Sequence, residues 1–325
     1  MTVSPILVIG RSGQLATALA MAGRPGLHRL GRPAIDFDRP ETLDAALEAA
    51  LDTAAPGLVV PGLVVPGLVV PGLVVPGLVV PGLVVNAAAW TAVDAAEQEV
   101  AAAERANRDG PARLAELCAA RAVPLIHVST DYVFDGTKGT PYAETDPTSP
   151  RTVYGRTKLD GERAILQAHD RAIILRTAWV YSPYGRNFVR TMLDAATKRP
   201  VLRVVGDQRG NPTSADDLAA AILAIAERIG RTGWQAGYAG LFHAAGTGDT
   251  TWHGLATAAL EDAARAGHKM PEIQAIATAD WPTPAARPAD SRLDCTRLHD
   301  VFGVRLPHWR NSVAKVVATL TAPAT

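Results

Sequence analysis

Tyr154-Gly-Arg-Thr-Lys158 places a phenol and an amine four residues apart, one helical turn from each other on the same face if the segment is a helix. A lysine charge so placed favours tyrosinate and lowers a phenol pKa that starts at about 10, turning the tyrosine into a usable acid or base. Earlier in the chain Val128-Ser129-Thr130-Asp131 ends an apolar run with two hydroxyls and a carboxylate. A hydroxyl there, followed by YxxxK, could hold a substrate carbonyl while the tyrosine moves a proton. The reactive set is thus a strand-end hydroxyl, Ser129 or Thr130, with Tyr154 and Lys158. Metal chemistry is not expected, because the eight histidines show neither HxxxH nor HxH spacing, and GxSxG is absent. His127, inside the apolar run, reads as a buried, hydrogen-bonded histidine.

A hydride donor must sit beside those groups. Ile6 to Gly10 is a short apolar run, followed by Gly10-Arg11-Ser12-Gly13-Gln14-Leu15-Ala16, a GxxGxxG pattern with alanine in the third place. The first glycine permits a tight turn and the second lets backbone approach a pyrophosphate. The third position needs only a small residue for helix-on-strand packing. Gly10, Ser12, Gly13, Gln14 and Leu15 are therefore the expected phosphate loop. At the end of the second strand, where many such folds carry a ribose-binding acid, the chain reads Leu30-Gly31-Arg32. Arg32 suits a 2'-phosphate and tilts the reading to NADPH, with NADH left open. Asp36 and Phe37 would lie beside the adenine, and Ala87, Ala88 and Ala89 would let the cofactor pass close over the third strand.

These groups need a scaffold that brings strand ends and helix starts together. Short apolar runs alternate with alanine-rich stretches of helical period, which predicts an α/β fold: a Rossmann-type, doubly wound parallel sheet with a smaller C-terminal substrate-binding domain. Strands are expected at Ile6–Gly10, Leu27–Leu30, the end of the GLVV run, Pro124–Phe134 and Ala172–Tyr181. Helices are expected at Gln14–Ala22, Glu41–Leu51, Ala95–Ala122 with a break near Gly110-Pro111, and Tyr154–His169. Residues 1–180 form the NAD(P)-binding domain, interrupted by a repeat insertion at 56–80; residues 181–325 are mainly substrate-binding, with room for strands that return to the Rossmann sheet.

Composition closes off other classes. Thirty-two basic residues balance thirty-two acidic ones across 325 residues, so neither nucleic acid nor an anionic membrane is an expected partner. The start MTVSPILVIG lacks an export signal, and two distant cysteines, Cys118 and Cys295, make no disulfide framework. A cytoplasmic protein fits.

Glycine loop, strand-end hydroxyl and YxxxK in that order are similar to the short-chain dehydrogenases, in which a Ser or Thr holds the substrate carbonyl while the tyrosine moves a proton. Beyond that pattern the chain resembles the dTDP-4-dehydrorhamnose reductase family, which implies Thr130 as the hydroxyl. STDYVFDG (129–136), ETDPTSP (144–150) with YGRTK just after it, RTAWVYSPYGRNFV (176–189), GDQRGNPTSA (206–215), TTWHG (250–254) and PTPAARPADSRLD (282–294) carry the likeness, which spans the chain apart from the repeat. The resemblance implies hydride transfer from the nicotinamide to C4 of a nucleotide-linked keto sugar, the last step in making dTDP-L-rhamnose, with Tyr154 as general acid. It implies that Lys158 also anchors the cofactor ribose and that Thr130 and Asp131 face the sugar. Trp179, Thr91, Val93 and Asp94 would line the sugar pocket, and Arg287 and Arg292 would close over the dianionic diphosphate. Some members bind Mg²⁺ at a dimer interface through acids that include one on the first helix. Here that helix reads Leu15-Ala16-Thr17-Ala18-Leu19-Ala20, without a carboxylate, so no metal is expected and a homodimer is left open. Two other readings stand beside this one: a non-catalytic nucleotide-binding regulatory subunit of the same fold, and a reductase for another nucleotide-linked keto sugar.

One feature is foreign to that pattern. From Pro56 the pentapeptide PGLVV occurs six times in succession before Asn86. The family has one segment of this form there, so five copies, 25 residues, are excess. A tandem expansion accounts for them; a self-associating or partner-binding arm, similar to elastin-like pentapeptides, is the alternative. Only the last copy is tied to Asn86, so it is expected to be the strand, with 56–80 an irregular or hairpin-like excursion at the sheet edge opposite the ligand.

Overall fold

The computed structural model describes residues 5–39, 42, 44–46, 63–65, 68–70 and 82–322. In chain order it begins with strand β1 (Ile6–Ile9), helix α1 (Gln14–Met21) and strand β2 (Leu27–Leu30). Strands β3 (Leu63–Val65) and β4 (Leu68–Val70) fall within the repeat, and β5 (Leu83–Asn86) is its last copy running into Asn86. Helices α2 (Val93–Ala96) and α3 (Val100–Glu104) lead through a π-turn (105–109) into α4 (Gly110–Ala120), and then come β6 (Leu125–Thr130) and α5 (Val153–Ala168). Strand β7 (Ala172–Thr177) follows, then the two-residue β8 (Val180–Tyr181) and α6 (Phe188–Ala196).

The second half contributes β9 (Val201–Val205), β10 (Arg209–Gly210), β11 (Thr213–Ser214), α7 (Ala215–Thr232), β12 (Gly240–His243), β13 (Thr250–Thr251), α8 (Trp252–Arg265) and β14 (Glu272–Ile276). Two C-terminal helices, α9 (Thr296–Phe302) and α10 (Trp309–Thr321), end the described chain. The helix expected over 41–51 is present at residues 42 and 44–46; its remainder lies outside the described residues.

The centre is a parallel six-stranded sheet in the order β12-β7-β6-β5-β1-β2. This is the Rossmann-like α/β architecture that the sequence predicted. Its strands are continuous runs of Val, Ile and Leu because both faces are covered. On one face α1 and α7 bury Leu15, Leu19, Leu218, Ile222 and Ile225 against Val8, Val85 and Ile173; on the other, α4 and α5 bury Leu114, Leu117, Cys118 and Ile165 against Leu7, Val84 and Ile174. Strand β12, from the C-terminal half, supplies one edge of this sheet. Smaller cores lie outside it: Trp179, Tyr181, Leu255 and Trp309 join α8 and α10, and Leu202, Val204 and Leu260 seat the β9–β14 pair.

The last pentapeptide copy is the sheet strand, pairing Ile6 with Leu83 and Ile9 with Asn86 on one side and Asn86 with His127 on the other. Two other copies pair antiparallel, Leu63 opposite Val70. The rest of the 56–80 excursion lies outside the described residues.

Three boundaries differ from the expectation. The strand expected over 124–134 ends at Thr130, whose Oγ1 accepts from the Tyr132 amide and turns 131–133 into a 3₁₀ turn. The 95–122 stretch is not broken at Gly110-Pro111; the chain interrupts at 97–99 and widens into the π-turn, while Pro111 sits in the first turn of α4, where its missing N–H costs nothing. The 172–181 strand is cut in two by Trp179, whose φ of +49° turns the chain between β7 and β8.

Candidate active site

The glycine loop is built as its residue types require. Gly10 ends β1 at φ +130°, and a Cβ there would stand 3.3 Å from the Ala87 carbonyl carbon and 3.4 Å from Ala16 Cβ. Loop, first helix and the end of β5 therefore converge at one point. Helix α1 starts at Gln14 with Gly13 as its cap, without a capping side chain or an acid in the first turn, and nothing stands within 4 Å of where a Gly13 Cβ would be. A helix N-terminus with open space and unclaimed amides fits a pyrophosphate. Ser12 is exposed and Leu15 buried, while Gln14 accepts from Ser182 Oγ, in the loop after β8, at 2.7 Å.

The residues expected around the adenosine form their own cluster. Arg32 pairs with Asp36 and Asp38, each at 3.0 Å, and its side chain is 68% exposed. Phe37 lies buried under Gly110, where a Cβ would come within 2.4 Å of the ring. Ala87 donates to the Ile9 carbonyl and Ala88 to Asn86 Oδ1, which holds the 87–89 loop across the carboxyl ends of β1 and β5.

Thr130, the last residue of β6, is buried beside Tyr154, which enters from the first turn of α5. Thr152 caps this helix through the Gly155 amide, and Glu97 accepts from the Val153 amide at 2.8 Å. At Gly155 the helix nearly touches the Tyr132 carbonyl; a Cβ there would be 2.2 Å from that oxygen. The bare backbone contact is what brings the phenol up to the strand end. Tyr132 also packs edge-on to Tyr154, ring centroids 5.6 Å apart.

Charge in this corner departs from the expectation in one respect. Burial pushes the Tyr154 phenol up to about 12, partly opposed by the hydrogen bond with Thr130 and reinforced by nearby Asp131. Lys158 does not lower it, because its Nζ turns to β6, donating to the Val128 carbonyl at 2.7 Å and meeting His127 Nε2 at 3.0 Å. The tyrosine is accordingly held as a phenol, the form that can donate a proton. Asp131 accepts from Thr130 Oγ1 at 3.1 Å through one oxygen, and its other oxygen is buried without a partner. Burial raises its carboxyl to about 6.

The remaining expected residues fall into two groups. Asp94 makes a two-pronged ion pair with Arg287, at 3.0 and 2.8 Å, and accepts from the Ala285 amide, tying the 91–94 loop to the C-terminal segment beside Tyr132. Thr91 is exposed and Val93 half-buried in that loop. Trp179 stacks on Trp252 at 3.7 Å, and Gly210 leaves room for its indole. Arg292 is committed elsewhere, to Asp290 at 2.8 and 2.6 Å and to the Gly139 carbonyl.

Sequence reasoning missed a supporting layer. Glu162, one turn beyond Lys158, is buried and accepts from Arg176 at 2.7 Å and from Ser129 Oγ at 2.5 Å. Asn107, in the π-turn, accepts from the Trp90 amide and donates to the Trp90 carbonyl and Thr157 Oγ1, joining the 87–94 loop to α5. The available signal was polar residues inside otherwise apolar elements.

The chain is similar over nearly its whole length to known proteins. A family model described as RmlD substrate binding domain matches residues 76–322, and a GLTT repeat model matches six copies at 55–84. A dTDP-4-dehydrorhamnose reductase of Sinorhizobium fredii (strain NBRC 101917 / NGR234) is 41% identical over 317 residues, 97% of each chain. A probable dTDP-4,6-dihydroxy-2-methyloxan-3-one 4-ketoreductase of Streptomyces antibioticus is 43% identical, covering 97% of this chain and 95% of that one. Among solved structures, a dTDP-4-dehydrorhamnose reductase from Clostridium acetobutylicum superposes with TM-score 0.81 at 27% identity, covering 98% of this chain and 100% of the other. One from Bacillus anthracis, in complex with NADP, also gives 0.81, at 24% identity and with the same coverage.

Proposed function

The chain belongs to the dTDP-4-dehydrorhamnose reductase family, and we propose that it reduces the C4 keto group of dTDP-4-dehydro-L-rhamnose to give dTDP-L-rhamnose. The observation that carries the reading is the placement of Tyr154, in the first turn of α5, against the Thr130 end of β6 and beside a glycine loop shaped for a dinucleotide.

NADPH, when bound, supplies the hydride to C4. The Gly10–Leu15 loop and the start of α1 would hold its pyrophosphate, and the 87–89 loop would let it lie close over β5. Asp36 and Phe37 flank the adenosine end, where Arg32 is the candidate for a 2'-phosphate. Thr130 fixes the substrate carbonyl by a hydrogen bond, and Tyr154 gives its proton to the oxygen as negative charge develops there. The carbonyl becomes an alcohol, and Tyr154 recovers its proton from solvent. Proton donation of this kind contributes about 10²- to 10⁴-fold in rate. Lys158 would anchor the cofactor ribose. Asp131, Trp179 and the Thr91–Asp94 loop would line the sugar side, and Arg287 and Arg292 would have to exchange Asp94 and Asp290 for the diphosphate to meet it. Residues from 181 onward mainly build that sugar side, while β12 returns to the nucleotide-binding sheet. The reaction belongs in the cytoplasm, where its nucleotide substrates are.

The 43% identity to the Streptomyces antibioticus protein favours a second substrate, another dTDP-linked keto sugar. Purified protein mixed with NADPH and each keto sugar distinguishes the two by the rate of NADPH oxidation. Absence of turnover with dTDP-4-dehydro-L-rhamnose refutes the first reading, and absence with every keto sugar favours a nucleotide-binding regulatory role. Tyr154→Phe is expected to lose turnover by the factor above and to retain NADPH binding; a variant with most of its activity refutes the assigned role.

A further inference from the structure

His127 lies in the middle of β6, fully buried, with polar contacts on both ring nitrogens. Asn86 Oδ1 accepts from the Ala88 amide at 3.1 Å, so the amide NH₂ of Asn86 is the group that faces His127 Nδ1 at 2.9 Å. An NH₂ can only donate; Nδ1 must accept. A neutral imidazole has one N–H, and with Nδ1 accepting it resides on Nε2, which points at Lys158 Nζ 3.0 Å away. An ammonium has three donors and no acceptor, so this contact is a hydrogen bond only if Lys158 is an uncharged amine. Its own hydrogens are still free to donate to the Val128 carbonyl at 2.7 Å.

The opposite arrangement has a defined cost. If Lys158 is charged, His127 must accept at Nε2 and carry its hydrogen on Nδ1, and Asn86 must turn its amide over to receive it. That places the NH₂ against the Ala88 amide, donor against donor, and releases Ala88 N–H in the loop where the cofactor is read to pass. Each charge state of the lysine thus demands its own Asn86 orientation.

The surroundings agree. Besides His127 from β6, Lys158 has Glu162 one turn on along α5, already committed to Arg176 of β7 and to Ser129. One turn before it stands Tyr154, with Asp131 beyond Thr130. Burial lowers Lys158 to about 8 against the weaker pull of Glu162, and burial followed by the lysine holds His127 well below its ordinary value.

We propose that Asn86 and His127 are a positioning pair that stores Lys158 as an uncharged amine against β6 in the cofactor-free enzyme, so that the lysine takes up a proton from solvent as the cofactor binds. The inference rests on the NADPH reading above. Bound ribose hydroxyls and phosphate charge favour the ammonium, which no longer needs the imidazole hydrogen.

Two measurements test it. Titration calorimetry of the enzyme with NADPH at about pH 8.5, in two buffers of different ionisation heat, counts the protons taken up. About one proton per site is expected for the wild type. Asn86→Asp keeps the shape but accepts from both Ala88 N–H and a ring Nδ1–H, so Lys158 is charged beforehand and uptake falls near zero. NADPH binding with equal heats in both buffers, or undiminished uptake in N86D, overturns the inference while leaving the reductase reading intact. Failure of NADPH to bind overturns the reductase reading itself. On the free protein, ¹⁵N spectra of labelled histidines give the tautomer, the His127 signal being the one lost in His127→Gln. An Nε2–H ring is expected, and an Nδ1–H ring overturns the proposal without any cofactor present.

Discussion

Replacing Gly155 by alanine tests whether the bare contact between α5 and the strand end sets the catalytic geometry. The added Cβ would lie 2.2 Å from the Tyr132 carbonyl oxygen, and contacts below 3.0 Å are not tolerated, so α5 and the 131–133 turn must part by about 0.8 Å. Neither side yields easily. The oxygen is backbone in a turn pinned by Thr130 Oγ1, and the helix start is pinned by Thr152, Glu97 and Pro150, whose Cβ would be 3.1 Å away. The opening lies between Thr130 and Tyr154, the groups that must meet one carbonyl oxygen together. A misplacement of this size costs about 10²-fold in rate, or roughly 2.7 kcal/mol, and the overpacking costs about 1–3 kcal/mol in stability. The check is steady-state NADPH oxidation with the keto sugar, alongside thermal unfolding and NADPH affinity. Loss in kcat with NADPH affinity within about threefold of wild type is the expected pattern. A G155A enzyme with wild-type kcat refutes the argument, since the contact would then be soft. Loss of NADPH binding in step with kcat refutes it differently, by placing the damage in the nucleotide half.

Three further outcomes follow from the buried charges and the insertion. Asp131 has its carboxyl raised to about 6 from 3.8 by burial, so its contribution to stability is full below pH 3.8 and is lost as pH rises through 6. Asp131→Asn should therefore gain stability relative to wild type between pH 4 and 7, by up to about 3 kcal/mol; unfolding curves that shift equally at both pH values contradict this. Glu162→Gln leaves Arg176 buried without its counter-charge and should cost about 3–5 kcal/mol in denaturant unfolding, whereas a loss below about 1 kcal/mol would mean the pair is not desolvated. Deleting residues 56–80 should keep NADPH-dependent activity within about twofold of the full chain, because the last PGLVV copy forms β5; a large loss of activity assigns the repeat a working part in the enzyme.

How much of this was legible depended on whether a residue's role is local. Gly10 is legible because the turn after a buried strand requires a φ of +130° that other residues resist, and its partner Ala16 follows at the spacing of one helix. Tyr154 and Lys158 are legible as a pair for the same reason. Where Lys158 points is not. A lysine side chain can reach either the tyrosine on its own helix or the strand beneath, and here a carbonyl and an imidazole on β6 capture it. Ser129, Glu162 and Arg176 each stand in a recognisable stretch, but only folding reveals that one carboxylate serves both other side chains. Pro111 misled because a proline in the first turn of a helix and a proline that breaks one look alike in sequence. Trp179 hid its bend because a bulky residue at positive φ is uncommon, and the apolar run continues unbroken across it.

The repeat poses a harder question, since six copies offer six candidate strands with the same LVV core. Hydrophobicity cannot choose among them. What differs is the next residue: proline after five copies, and Asn86 after the last. A proline in that place would put a residue without an N–H in a strand flanked on both sides by β1 and β6, where one ladder bond would be lost. It would also remove the side chain that receives the Ala88 amide and meets His127. The register of β5 is therefore chosen at its carboxyl end by the residues that form the site. The repeat joins at the amino end, about 13 Å away along four strand residues, where Gly82 donates to the Pro5 carbonyl. Added copies lengthen the connection without offering the sheet a better strand, so the chemistry selects the one copy it is covalently joined to.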